Sequence, residues 1–435
     1  MTQSSAMAMT RRSFALLAAA AARGADDESF GVYGDHPRLF LTPARLRRLR
    51  RDRERRTRRW EQFAALVEGR AQFPEPGFAH ALYFQITGDE SAARAAVRFA
   101  EDTPDLRQAA IVYDWCQPHS GRLRAGLEGA RGNALPLDVA GVRSVALAAV
   151  ATGDSAALER TVREWWRGRI VPAINAGQEA IPRGDLYALF ELMHAVRDNT
   201  GIDLRESAVQ FFERLPFAQL LSYYPEPRTA PEGDYRMPAV KGATPSLRAA
   251  ELSRAADLAL IAYDTNSQEG QYLQGFAMYD RFQLATPFGA PYEFLWANPY
   301  QPGLSYDLLP PHFYDALRGC LFLRASWRDD APWLGWFEGE LQVFSDGRLR
   351  VAPIGGSPQQ FRIGAATVIA ASEPGHYVVP DPSETVYIVG LPARRAWSVQ
   401  PARGKRITAH TDPGGVLRIE FPEAFSGALA VSTSP

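Results

Sequence analysis

The chain has 435 residues, 46% hydrophobic and 22% charged, a length that exceeds one ordinary core and a composition that belongs to a globular protein rather than a disordered one. Lys+Arg total 48 against Asp+Glu 49, so the formal charge of -1 gives no reason to expect nucleic acid. Almost all the positive charge is arginine, which suits bidentate recognition of carboxylates better than lysine does.

Thr10-Arg11-Arg12-Ser13-Phe14, followed by the apolar run from Ala15 to Ala22, resembles a twin-arginine export signal, so residues 1–25 are set aside from fold reasoning. That run is too short to span a bilayer, and no stable membrane span is expected once it is removed. In an oxidising compartment Cys116 and Cys320 have the chance to pair, but they fall in different predicted domains and read as two separately buried thiols.

Next comes a very basic helix, predicted over 44–60, with Thr42 as N-cap and Pro43 at the first helical position. An internal repeat follows: Thr87-Gly88-Asp89-Glu90-Ser91 recurs as Thr152-Gly153-Asp154-Ser155. In each copy glycine supplies the left-handed stop of one helix and the following acid caps the next, which makes each copy an αα-hairpin. Asn199-Thr200-Gly201 repeats the stop after a helix predicted over 185–198, and further helices fit 247–262 and 268–282. Hairpins of this kind must stack to bury their apolar sides, as in a solenoid or toroid. Between them, residues 223–241 form a long proline-rich loop, of the length that is usually functional or disordered; Tyr235 and Arg236 within it are candidate ligand contacts.

Residues 286–320 form a seam dense in proline and aromatic residues, including Trp296 and His312, where no helix is expected. Beyond it the periodicity drops to two. Strands are predicted over 321–327, 333–337, 341–344, 348–351, 360–370, 377–379, 385–389, 406–410, 416–420 and 428–432, and Ser345-Asp346-Gly347 and Asp412-Pro413-Gly414-Gly415 are hairpin turns by composition. The fold class is therefore multidomain, α then β: stacked αα-hairpins over 30–285, the seam, and an antiparallel β-sandwich over 321–435, with no parallel pairing expected. No close His/Cys/Asp set has metal-ligand spacing and no phosphate-binding glycine loop follows a strand, so neither a metal nor another cofactor is expected.

An αα-hairpin array followed by a sandwich, with His36-Pro37-Arg38-Leu39, Tyr113-Asp114-Trp115, Asn133, Arg183-Gly184-Asp185-Leu186-Tyr187 and Leu323-Arg324-Ala325-Ser326-Trp327 in that order, resembles the heparinase II/III-like polysaccharide lyases. The resemblance implies that residues 30–285 form an incomplete (α/α) toroid joined to the sandwich, in an exported protein that binds an acidic, uronate-containing polysaccharide between its two parts. It also implies β-elimination, with Tyr187 as base and acid, Asn133 as carboxylate donor and Arg183 as the cation that favours the phenolate. Tyr113, Trp115 and His119 would border the sugar groove. Departures accompany it. Ala134 and Ala188 stand where the family commonly has an aromatic or histidine, and Glu338-Gly339-Glu340-Leu341-Gln342-Val343-Phe344 stands where its sandwich supplies a histidine-rich segment.

Each candidate has a bland reading beside the functional one. Tyr113 and Trp115 also read as core, Asn133 as a helix cap, His312 as a loop histidine and Tyr187 as a partly buried helical tyrosine. Two other functions stay open: a catalytically silent glycan-binding or structural relative of the lyases, and a glycoside hydrolase using carboxylates of the toroid, with Asp114, Asp185, Glu191 and Asp234 as candidates.

Overall fold

The structure, a computed structural model, describes residues 28–32, 34–129, 134–230, 233–243, 246–280 and 283–434. Residues 1–25, which resemble an export signal, and Asn133 lie outside the described residues. Helices come first: α1 (Pro43–Glu54), α2 (Arg58–Glu68), α3 (Pro76–Thr87), α4 (Glu90–Glu101), α5 (Leu106–Trp115), α6 (Leu123–Gly129), α7 (Val139–Thr152), α8 (Ser155–Arg160), a π-helix at Thr161–Ile170, α9 (Val171–Asn175), α10 (Leu186–Thr200), α11 (Val209–Leu221), α12 (Leu247–Tyr263), α13 (Gln268–Asp280) and α14 (Gly289–Trp296). The single basic helix expected over 44–60 is two helices, because the chain turns at Arg56 with φ 52°. Thr42 caps α1 by accepting from the Arg45 backbone N–H at 3.3 Å.

The repeat behaves as its chemistry requires. Gly88 and Gly153 take φ of 76° and 77°, and the carboxylates of Asp89 and Asp154 accept from the amides of Ser91 and Ala157. Because each hairpin returns the chain, alternate helices line up: α3 meets α5, α5 meets α7, α7 meets α10, α10 meets α12, α12 meets α14, and α14 returns to α2 and α3. These contacts run round a circuit. The seam was expected to hold no helix, yet α14 lies within it. Pro291 sits in its first turn, where an amide has no intrahelical partner to lose.

Strands follow. A small hairpin, β1 (Arg228–Ala230) and β2 (Gly233–Tyr235), occupies the proline-rich loop. A five-stranded antiparallel sheet then runs β3 (His312–Asp315), β4 (Cys320–Arg324), β5 (Trp333–Phe337), β6 (Glu340–Ser345), β7 (Arg348–Ala352) in order. The first strand of this sheet thus begins inside the seam. Both faces of β4 and β5 are buried, one against the helices through Phe322, Trp333 and Phe337, the other inside the sandwich through Leu321, Leu323 and Leu334. Trp333 ties the sheet to the helices by donating from Nε1 to the Leu221 carbonyl at 2.8 Å.

The second sheet has six strands: β8 (Gln359–Ile363), β9 (Ala366–Ala370), β10 (His376–Val389), β11 (Ala396–Pro401), β12 (Ile407–His410) and β13 (Val416–Thr433), ordered β12-β11-β13-β10-β9-β8. It is mixed rather than purely antiparallel, since β9 and β10 pair in parallel from Ala366 opposite Thr385 onwards. What the period-two pattern divided into separate strands at 377–379 and 385–389 is one strand, whose register with β13 shifts between Val379 and Thr385. Tyr377, Val379, Val386 and Ile388 of β10 join a small core around Trp397, Leu417 and Leu429, while the alternate residues Tyr387 and Val389 face the core shared with the first sheet. Cys116 and Cys320 are both buried and free.

Candidate functional site

The Arg183-to-Tyr187 motif straddles a change of helix type. Residues Arg183–Asp185 form a 3-10 turn and α10 starts at Leu186, so Arg183 and Tyr187 do not share one helical face, as a helix starting earlier would have allowed. Their side chains go to different places.

Tyr187 points into the middle of the helical circuit. It is 3% exposed, its hydroxyl donates to Glu191 Oε1 one turn later at 2.7 Å, and it accepts from Trp296 Nε1 at 3.0 Å. Glu191 is fully buried. Arg107 grips it with Nε to Oε2 at 2.8 Å and Nη2 to Oε1 at 2.6 Å, and Arg143 adds Nη1 to Oε2 at 2.7 Å. Arg107 also faces Glu75 at 3.1 Å, and Tyr292 donates its hydroxyl to the same Glu75. Glu75 stands at the N-cap of α3, where a helix dipole favours negative charge, whereas Glu191 lies in the second turn of α10 and depends on its arginines. Burial opposes the charge of Glu191, but Arg107 and Arg143 outweigh it and hold the carboxyl below its ordinary range. Burial first, then the Glu191 charge, pushes the Tyr187 phenol well above its ordinary value. A tyrosine in that state is a neutral donor with its hydrogen already committed, which is the opposite of what a base needs.

Arg183 points the other way, toward the sandwich. It donates from Nε and Nη2 to Ser253 Oγ at 3.2 and 2.8 Å and from Nη1 to Ser222 Oγ, and its guanidinium lies over the Tyr223 ring at 4.9 Å. Behind it Tyr223 donates to Asp257 Oδ2 at 2.5 Å and Gln219 donates from Nε2 to Asp257 Oδ1 at 2.6 Å; burial pushes Asp257 up to about 6. In front of it opens a cleft of about 280 Å³, walled by the segment before α10, by α11, and by the turns at Arg318-Gly319 and Glu338-Gly339 of the first sheet. Close backbone contacts shape this wall. A Cβ on Gly177 would meet the Leu317 carbonyl at 2.1 Å, and one on Gly319 would meet Gly414 at 2.1 Å.

Four further polar groups converge on the cleft. Glu338 and Gly339 form the two-residue hairpin turn between β5 and β6 with φ of 50° and 73°, which projects the Glu338 side chain from the sheet edge. Glu179 stands on the opposite rim, where partial burial and then the Glu338 charge push its carboxyl up. Arg318 lines the same space. Gln219 is 2% exposed, and with its Nε2 spent on Asp257 its Oε1 has no partner. The sequence reading missed all four. Glu338-Gly339 between two strands was legible as a turn; nothing in the pattern of α11 marks Gln219 out from its neighbours.

The remaining candidates do not assemble around either place. Tyr113 is buried with its ring edge-on to His36, and Trp115 is buried with Nε1 donating to the Leu39 carbonyl at 2.9 Å, so both are core. His119 pairs with Glu90. Trp296 is 1% exposed, between the Arg45 guanidinium and the His194 ring. Tyr235 ends β2, and Arg236 is buried in ion pairs with Asp280 at 3.1 Å and Asp329 at 2.6 Å. His312 is exposed at the start of β3. Among the carboxylates proposed for hydrolysis, Asp114 accepts from the amides of Arg38 and Leu39, Glu191 is locked as above, and Asp234 accepts from Thr229. Asp185 is half-buried, pushed up by burial and by the charge of Asp138. Among the described residues no group of His, Cys, Asp and Glu is placed to hold a metal ion, and no helix is long and apolar enough to cross a membrane.

No protein-family model and no curated protein matches the chain. Among solved structures, a chain named glycoside hydrolase overlaps 83% of this chain and 71% of its own length, with 11% identity and a TM-score of 0.30.

Proposed function

We propose that the chain binds carbohydrate in the cleft between the helical circuit and the first sheet, without elimination chemistry at Tyr187. The observation that carries the reading is the convergence of polar groups on one concave space: Arg183 and Gln219, whose Oε1 has no partner, from the helical part, and Arg318 and Glu338 from the sheet. Arg183 and Arg318 are the cations available to a uronate carboxylate. Glu179, Glu338 and the Gln219 carbonyl oxygen are the acceptors available to sugar hydroxyls. Calorimetric titration with acidic and neutral oligosaccharides tests this. Arg183→Ala is expected to weaken binding of an acidic oligosaccharide by about ten-fold or more, a loss of ~1.4 kcal/mol or above. Full affinity in that variant would refute the assignment of the cleft.

One observation favours a second reading, hydrolysis of a glycosidic bond. Burial first, and then the charge of Glu338, pushes the Glu179 carboxyl up, and a raised acid lining the same cleft as a second carboxyl is the arrangement this reaction uses. One would give its proton to the leaving oxygen while the other takes a proton from the attacking water. Reducing-end release that falls together in Glu179→Gln and Glu338→Gln would establish the couple. Release unchanged in both would remove it.

A further inference from the structure

At the far end of the β3–β4 hairpin from the cleft lies a second concavity, an open groove of about 1000 Å³ continuous with a depression of about 620 Å³ through Met278, Tyr279 and Asp329. It shares no lining residue with the cleft. We propose that this groove is a binding site for a neutral oligosaccharide, stacked on Tyr279 and held at its hydroxyls by the surrounding aspartates.

Three rings make the platform. Tyr306 is edge-on to Tyr279, with centroids 5.6 Å apart, and edge-on to Trp327 at 5.2 Å. Trp327 is fixed, since its Nε1 donates to the Leu309 carbonyl at 3.0 Å and the Arg324 guanidinium lies over its ring at 5.1 Å. Tyr279 is 62% exposed, and beside it Met278 is 50% exposed, a cost in apolar hydration that a packed partner would relieve. The C–H face of a pyranose carries slight positive charge and meets the negative face of an aromatic ring. The floor is backbone: a Cβ on Gly275 would meet the Leu304 carbonyl at 1.9 Å and one on Gly303 would meet the Gly275 nitrogen at 2.5 Å, so the segment before Tyr306 lies directly on α13.

Charge then selects the sugar. Asp234, Asp280, Asp307, Asp329 and Asp330 line the two concavities, against only Arg236 and Arg328. Both arginines are already engaged, Arg236 by Asp280 and Asp329, and Arg328 by Asp330 at 3.2 Å. A polyuronate would be repelled here, whereas sugar hydroxyls donate readily to carboxylates. The groove therefore differs in selectivity from the cleft, where Arg183 and Arg318 make no ion pair among the described residues.

The test is titration of the full chain with cellohexaose, maltohexaose, mannohexaose and xylohexaose, and with a galacturonate oligomer, reading heat and tryptophan fluorescence. At least one neutral hexasaccharide is expected to bind; Tyr279→Ala is expected to weaken it about ten-fold and Tyr279→Phe to restore it, with the galacturonate titration the same in all three proteins. Because Tyr279 is exposed, its replacement should leave the melting temperature in place. The inference is overturned if no neutral hexasaccharide binds, if Tyr279→Ala binds as tightly as the parent, or if the galacturonate oligomer displaces the neutral sugar from the groove.

Discussion

Tyr187 and Arg183 are four residues apart, yet the chain puts them into regions of opposite character. Around Tyr187 the carboxylates and phenols are matched, although Arg143 Nε has no acceptor: Glu191 carries two arginines and a phenol, Glu75 an arginine and a phenol, and the indole of Trp296 finds the Tyr187 oxygen. Around Arg183 the groups are left over: the Gln219 oxygen has no partner, and Glu179 and Glu338 face each other across open space. A closed network of buried charges specifies structure, and an open one has capacity left for a ligand. The difference teaches that a motif of reactive residue types is not a site until the secondary structure decides which way each one points.

The comparison predicts that the closed region governs stability and the open region governs binding. The largest effect is expected from Glu191→Ala, which takes the shared buried partner from Arg107 and Arg143 and leaves Arg107 only Glu75; removing one partner of a buried pair costs about 3–5 kcal/mol, read as a large fall in denaturation midpoint. Smaller is the pH response of His194, fully buried and stacked on Trp296, whose pKa burial pushes down to about 4. An unfolded histidine protonates near pH 6.5, so the folded state loses stability as pH falls from about 6.5 toward 4, by up to ~3 kcal/mol. Asp257 acts in the opposite sense, since a carboxyl pushed up to about 6 takes its proton in the folded state first and adds stability over the same interval. Thermal melts of His194→Phe against the parent should therefore diverge in the variant's favour on acidification. Identical pH profiles would mean the imidazole is not held neutral. Smaller again is Tyr187→Phe, which removes one hydroxyl from the buried network and leaves the Trp296 N–H without its acceptor, at about 1–3 kcal/mol.

Much of the architecture was legible because local chemistry dictated it. Gly88 and Gly153 stop their helices in the left-handed region and the acids that follow cap the next ones, and Asp346-Gly347 turns between β6 and β7 with both φ positive. What the sequence hid was set by distant contacts. Nothing in the alternation of 366–370 and 385–389 distinguishes parallel from antiparallel neighbours, and nothing in 161–170 announces a π-helix. Trp115 reads as core or as a groove border and Trp296 as a ligand contact, and burial places both in the core. The candidate site divided along the same line. Arg183 was legible as a cation near a helix start, but its departure from Tyr187 depends on a three-residue 3-10 turn, and its companions Gln219, Arg318 and Glu338 come from segments that only the tertiary fold assembles.

The measurement that tests the account most directly is a paired one on Tyr187→Phe and Arg183→Ala: melting temperature, affinity for a uronate oligosaccharide, and ultraviolet absorbance of unsaturated uronate product. The account predicts that Tyr187→Phe melts lower and binds as the parent does, that Arg183→Ala melts near the parent and binds about ten-fold or more weakly, and that no unsaturated product forms in either or in the parent. Product that accumulates with the parent and vanishes in a folded Tyr187→Phe would contradict it, and would return Tyr187 from the core to the chemistry.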